Sequence, residues 1–143
     1  MKKTVDTTEI ASDLRRSVTR LNRRLRQNSL GGVSPAQASL LASVDILGNA
    51  TLGDLAAREQ VQPPTVTRLI AALEEMGLVQ RITDENDRRC QRVSLTVLGR
   101  REVTQIRARK TEYLATRLAQ LPESDRELLP RLAVLLEHLV GDA

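Results

Sequence analysis

Apolar residues recur at Ile10, Leu14, Val18, Leu21 and Leu25, in steps of three and four that gather them on one face of a helix. Arginines at 15, 16, 20, 23, 24 and 26 fill much of the remaining surface and predict a basic, solvated face. The stretch SLGGVSP interrupts this pattern. Ser34 then suits an N-cap, Pro35 the first helical position, and Gln37 the far side of a capping box. Leu40, Leu41, Val44 and Leu47 carry the apolar stripe of this second helix, which should end near Gly48. Thr51 and Asp54 repeat the capping pattern for a short third helix with Leu52, Leu55 and Ala56 on its apolar side. In PPTVTRLIAALEEMG two prolines can open a helix but cannot sit inside one. Val66, Leu69, Ile70 and Leu73 form its inner face, and Gly77 can end it in the left-handed conformation. Thr65, Thr67 and Arg68 lie off that face.

The period then changes. Val93 and Leu95 alternate with Arg92 and Ser94, as a half-buried strand requires, and LVQRIT supplies a partner. Residues 78–83 and 91–96 therefore predict a hairpin. Short turns match strand twist best, yet the tip here is DENDRRC, with three acids and two arginines. From Thr96 a long helix is expected to about Leu121, with Val103, Ile106, Leu114 and Leu118 on its apolar side. Pro122 breaks the chain before a leucine-rich final helix over 128–139, which Pro130 should kink or divide. The expected fold is mostly α with a small β-hairpin wing.

Composition narrows the partner. At 143 residues the chain suits one domain able to bury a core, and 41% hydrophobic with 28% charged residues fits a folded, soluble protein. No apolar run approaches the roughly 18 residues of a membrane helix. MKKTVDTTEIASD lacks the apolar segment of a secretory signal, and one cysteine excludes an intramolecular disulfide, so a cytoplasmic location with no membrane contact is expected. Twenty-two basic against 18 acidic residues give +4, which leans towards a polyanion. With no Phe, no Trp and one Tyr, the rings on which single strands and RNA usually stack are missing. Duplex DNA needs only arginines, hydroxyls and backbone amides. Double-stranded DNA is the expected partner.

Two short helices joined by a tight turn and followed by a charged hairpin make a helix-turn-helix with a wing. In such a unit the N-terminal residues of the second helix meet base edges in the major groove. Arg68 suits guanine O6 and N7, while Thr65 and Thr67 suit bases or phosphates. Pro63 and Pro64 start the helix without bulk, so the backbone can approach the duplex. The long loop is explained by reach: an electronegative minor groove accepts an inserted Arg88 or Arg89. Asp87 is spaced to pair with Arg89 or bond loop amides, and so to support the wing. A solvated, self-neutralising turn is the blander account of the same charges.

Residues 51–99 resemble the winged-helix core of the MarR (multiple antibiotic resistance regulator) family. The match rests on Asp87-Arg88-Arg89 followed by VSLT and Gly99, and on TVTRLIAALEEMGLV. The resemblance implies one domain over 1–143, with a DNA-binding lobe at 34–96 and a helical dimerisation lobe made by 1–33 and 97–143. It further implies a homodimer reading a pseudo-palindromic operator, and repression, which no residue dictates. It also admits a small-molecule effector, with Arg16, Arg20 and Arg23 as unranked anion ligands. Two features depart from the pattern. Cys90 lies in the wing, whereas redox-sensing relatives carry their cysteine in the N-terminal helix region, and Tyr113 is the sole aromatic wall for a phenolic ligand. Against an enzyme stand a lone His138 and the absence of a phosphate loop, nucleophile elbow or metal spacing; no cofactor is called for. The rival to a DNA binder is a winged helix whose basic surface serves protein contacts only.

Overall fold

A computed structural model describes residues 6–141. Among the described residues, seven helices and three strands follow in the order α1 (Thr7–Gln27), α2 (Pro35–Leu47), β1 (Ala50–Thr51), α3 (Leu52–Glu59), α4 (Pro63–Glu75), β2 (Val79–Thr83), β3 (Gln91–Leu95), α5 (Val97–Leu118), α6 (Glu123–Arg126) and α7 (Leu129–Val140). They fall into two compact units divided within α5, between Lys110 and Thr111.

Helix starts follow the capping chemistry. Asp6 accepts the N–H groups of Thr8 and Glu9 at the head of α1. Ser34 and Gln37 complete a capping box on α2, as do Thr51 and Asp54 on α3. Each box satisfies donors that a bare helix end would leave orphaned. Between α3 and α4 the chain reverses through Gln60, at φ +55°, and the N–H of Val61 reaches back to the Ala56 carbonyl at 3.2 Å. Gly77 ends α4 at φ +73°.

The first unit holds the core. Leu40, Leu41 and Val44 of α2, Leu55 of α3, and Val66, Ile70 and Leu73 of α4 close around Val79, Val93 and Leu95 of the sheet, with Val103 and Ile106 of α5. Each such side chain contributes about 1.5–3 kcal/mol on leaving water. Some members of the expected stripes of α2, α3 and α4 differ. Leu47 is exposed, and Leu52 and Leu69 are only half-buried. A globular core covers less of the helix at the margin of such a stripe.

A second difference is the sheet. It has three strands in the order β1-β3-β2, all antiparallel, so β3 is central. Ala50 opposes Val93 and Thr51 opposes Arg92. Two residues flanked by helix caps carry no detectable alternation, so β1 is recognisable only through its partner. Polar ties then fix the first part of α5 within the first unit: Arg107 bonds Asp45 of α2 at 2.6 Å, and Arg109 donates to the Ser29 carbonyl at 3.2 Å.

At the start of α5, Thr96 accepts the N–H of Gly99 at 3.0 Å and donates its hydroxyl to the Gly77 carbonyl at 2.6 Å. Gly99 meets the carbonyl of Leu78 so closely that a Cβ would stand 1.9 Å from it. The Thr96–Gly99 pair is thus a joint that packs α5 onto the entrance of β2.

The second unit contains the end of α5, then α6 and α7. Tyr113 lies half-buried under the guanidinium of Arg117, 4.7 Å from its ring centre. Pro130 sits in the first turn of α7, where its missing N–H costs nothing. The division expected there precedes the proline rather than following it. α7 buries none of its residues, and neither does α1 in the first unit.

Candidate nucleic-acid interface

α4 is held by its inner face, with Val66, Ile70 and Leu73 fully buried. This leaves Pro63, Pro64, Thr67 and Arg68 exposed and Thr65 half-buried at its N-terminal end. The prolines occupy the first two helical positions. They have no N–H, and the amides of Thr65 and Val66 both turn to the Gln62 carbonyl, at 3.0 and 3.4 Å. The start of α4 therefore offers a partner side chains rather than backbone donors. The Thr67 hydroxyl donates to the Pro63 carbonyl at 3.1 Å, leaving its oxygen as an acceptor. Arg68 remains the cation of this surface.

The wing is a hydrogen-bonded loop. The Asp84 amide donates to the Cys90 carbonyl at 2.9 Å, and the Cys90 amide to the Asp87 carbonyl at 2.9 Å. Asp84 Oδ1 accepts the amide of Asn86 at 2.9 Å. Asp87 Oδ1 accepts two donors from Arg89, the backbone N–H at 3.1 Å and the side-chain Nε–H at 3.2 Å. Asp87 thus makes both bonds expected of it, to an amide and to an arginine. The Arg89 side chain is still 92% exposed, and Arg88 is exposed beside it. Two guanidinium groups project from a loop whose backbone is fixed by its own carboxylates.

A third arginine sits at the root of the wing. Arg92 of β3 donates Nε–H to Asp84 Oδ2 at 2.8 Å and Nη1–H to the Asn49 carbonyl at 3.1 Å. The Arg92 side-chain bond, joined by the Asn86 amide, holds the Asp84 carboxyl below the usual carboxylate range. Asp54 is lowered too, first by its bonds with Thr51 and then by the charge of Arg92. Asp84 and Arg92 did not stand out in the sequence. Alternation placed Arg92 among polar outward positions, and its contact with Asn49 spans 43 residues.

Cys90 is half-buried, its sulfur 3.8 Å from Asp87 Oδ2. On α1, Arg16 pairs with Asp13, and the side chains of Arg16 and Arg20 border one shallow surface depression that Arg23 does not reach. Among the described residues, no group of His, Cys, Asp and Glu is placed to hold a metal ion, and no helix is long and apolar enough to cross a membrane.

Known proteins are similar to this chain in sequence and fold. The MarR family model matches residues 33–91. An uncharacterized HTH-type transcriptional regulator of Mycobacterium bovis is 42% identical over 135 residues, 94% of each chain. The HTH-type transcriptional repressor MdtR of Bacillus subtilis is 30% identical, over 82% of this chain and 79% of its own. A crystal structure from Pseudomonas aeruginosa, described as that of a transcriptional regulator, superimposes with a TM-score of 0.80 at 34% identity, covering 98% of this chain and all of that one.

Proposed function

The chain belongs to the MarR family of transcriptional regulators, and we propose that it represses transcription by binding a pseudo-palindromic duplex operator as a homodimer. In this reading α4 enters the major groove. Arg68 reads a guanine edge, Thr65 and Thr67 bond bases or phosphates, and Pro63 and Pro64 allow close approach. Arg89 enters the minor groove with Arg88 on a neighbouring phosphate, while Asp87 keeps the tip in shape.

The observation that carries the reading is the wing: a loop ordered by Asp87, with a guanidinium 92% exposed at its tip. An ordered loop docks without a large ordering cost, which a flexible basic tether would incur. Repression is supported by the similarity to MdtR. Dimerisation is supported by the exposed apolar residues of α1 (Ile10, Val18, Leu21) and, separately, of α7 (Leu132, Val134, Leu135, Leu139), which a soluble monomer would rarely leave uncovered. The helical dimerisation lobe, 1–33 with 97–143, would cover them. A small anionic effector would find Arg16 and Arg20 beside the depression on α1. A regulator acting on DNA with no membrane-crossing helix among its described residues suits the cytoplasm.

Selecting bound duplexes from a random pool with the purified protein tests this reading. A dyad-symmetric site protected in both grooves is expected. Recovery of no preferred site, with weak and strongly salt-dependent binding to any duplex, would instead favour a module for protein contacts.

A further inference from the structure

The wing's own hydrogen bonds shape its tip, but they do not set the angle at which the loop leaves the lobe. Two antiparallel strands joined by a long loop twist and swing easily unless something pins the ribbon near its root. Arg92 occupies that root. It belongs to the central strand, opposite Thr51 on one side and Ile82 on the other. Its guanidinium reaches in two directions, to Asp84 on the loop and to the Asn49 carbonyl in the corner between α2 and β1. Asp84 passes the constraint on, because its second oxygen holds the Asn86 amide and its own amide closes on Cys90. Asp54, in the capping box of α3, adds its charge from the helix-turn-helix side. One side chain therefore ties the wing loop to the lobe that carries α4.

We propose that Arg92, acting through Asp84 and the Asn49 carbonyl, is a positioning residue that fixes the wing relative to the recognition lobe and so determines whether Arg89 and α4 engage DNA together. The proposal rests on the reading that the wing docks in a minor groove. Arg92 itself touches no DNA in this account. Its planar fork is what the geometry needs, since two donors on separate nitrogens must point at a carboxylate and a carbonyl together. A lysine has the charge but carries its donors on one nitrogen at the end of a flexible stem, so it lacks the fixed fork that meets both acceptors here.

The test uses the full-length protein and a duplex carrying the selected site. Arg89→Ala, Arg92→Gln and the double variant are titrated, with hydroxyl-radical footprints of the minor-groove flanks and guanine methylation protection of the major groove. Arg92→Gln is expected to bind about tenfold more weakly (about 1.4 kcal/mol) and to lose flank protection while guanine protection persists. In the Arg89→Ala background the same change should cost little, because a wing without its arginine gains nothing from being aimed. Asp84→Asn should reproduce the Arg92→Gln footprint while keeping an acceptor for Asn86, which covers the case in which Arg92→Gln folds poorly. Arg92→Lys should fall nearer to Arg92→Gln than to the wild type. If Arg89→Ala weakens binding but the Arg92→Gln loss simply adds to it, with flank protection intact, the positioning role is overturned and the wing reading stands. If Arg89→Ala changes neither affinity nor flank protection, the wing reading fails and this inference falls with it.

Discussion

A single carboxylate oxygen of Asp87 accepts both the backbone N–H and the side-chain Nε–H of Arg89, two residues on. The bond pattern folds Arg89 over its own turn and leaves the outer guanidinium nitrogens to solvent. Counting charges, Asp87→Asn should tighten binding to a polyanion, because an acid is removed. The geometry predicts the opposite sign, since a loosened tip must be ordered again on docking. Titration of both forms against one operator at several salt concentrations distinguishes them. Tighter binding by Asp87→Asn at every salt would make the wing a charged tether.

Arg68 stands exposed on a helix whose start has no spare amide. Arg68→Ala should therefore cost about 1–3 kcal/mol per half-site and relax the preference at one base position. Affinities for the operator and for a random duplex are compared; equal losses on both would reduce Arg68 to a phosphate contact.

Asp84 gives a pH dependence with a definite sign. Its folded pKa lies below the ordinary value of 3.8, so ionisation favours the folded, clamped wing. That stabilisation is fully present above the unfolded pKa and is lost as pH falls through the folded one. Thermal melting of wild type and Asp84→Asn should differ by a constant amount from neutral pH down to about 5 and converge below about 4. A gap that widens in acid would contradict the assignment.

Gly99 leaves no space for a side chain against Leu78. Gly99→Ala must push α5 off the entrance of β2 and should destabilise by about 1–3 kcal/mol, as overpacking does. A melting temperature equal to that of the wild type would show that the joint yields without cost.

Exposed Leu21 of α1 and Leu135 of α7 are expected at the dimer interface. Leu21→Glu or Leu135→Glu should shift the protein towards monomer in sedimentation experiments and weaken operator binding far more than binding to a half-site. A variant that stays dimeric would remove its helix from the interface.

Local interactions were legible along the chain, because each is decided within a few residues. The caps at Ser34 and Thr51 and the Asp87–Arg89 pair depend on side chains reaching backbone or neighbours two or three positions away, while the stop at Gly77 and the helix start at Pro130 depend on the backbone of a single residue. The alternation of Val93 and Leu95 likewise announced a strand whose inner face is buried. What no local pattern contained were the relationships that close across the fold. β1 exists because Ala50 and Thr51 find the free edge of β3, and two residues have no period of their own. Periodicity places Leu47 on the core face, because it marks a face but not how far the neighbouring elements cover it. The reason for Gly99 lies at Leu78, 21 residues earlier, whose carbonyl stands where a Cβ would be. Arg92 looked like any polar residue on an outward strand position. Its partners Asp84 and Asn49 come to it only when the hairpin pairs and α2 packs, so long-range contact decides its role.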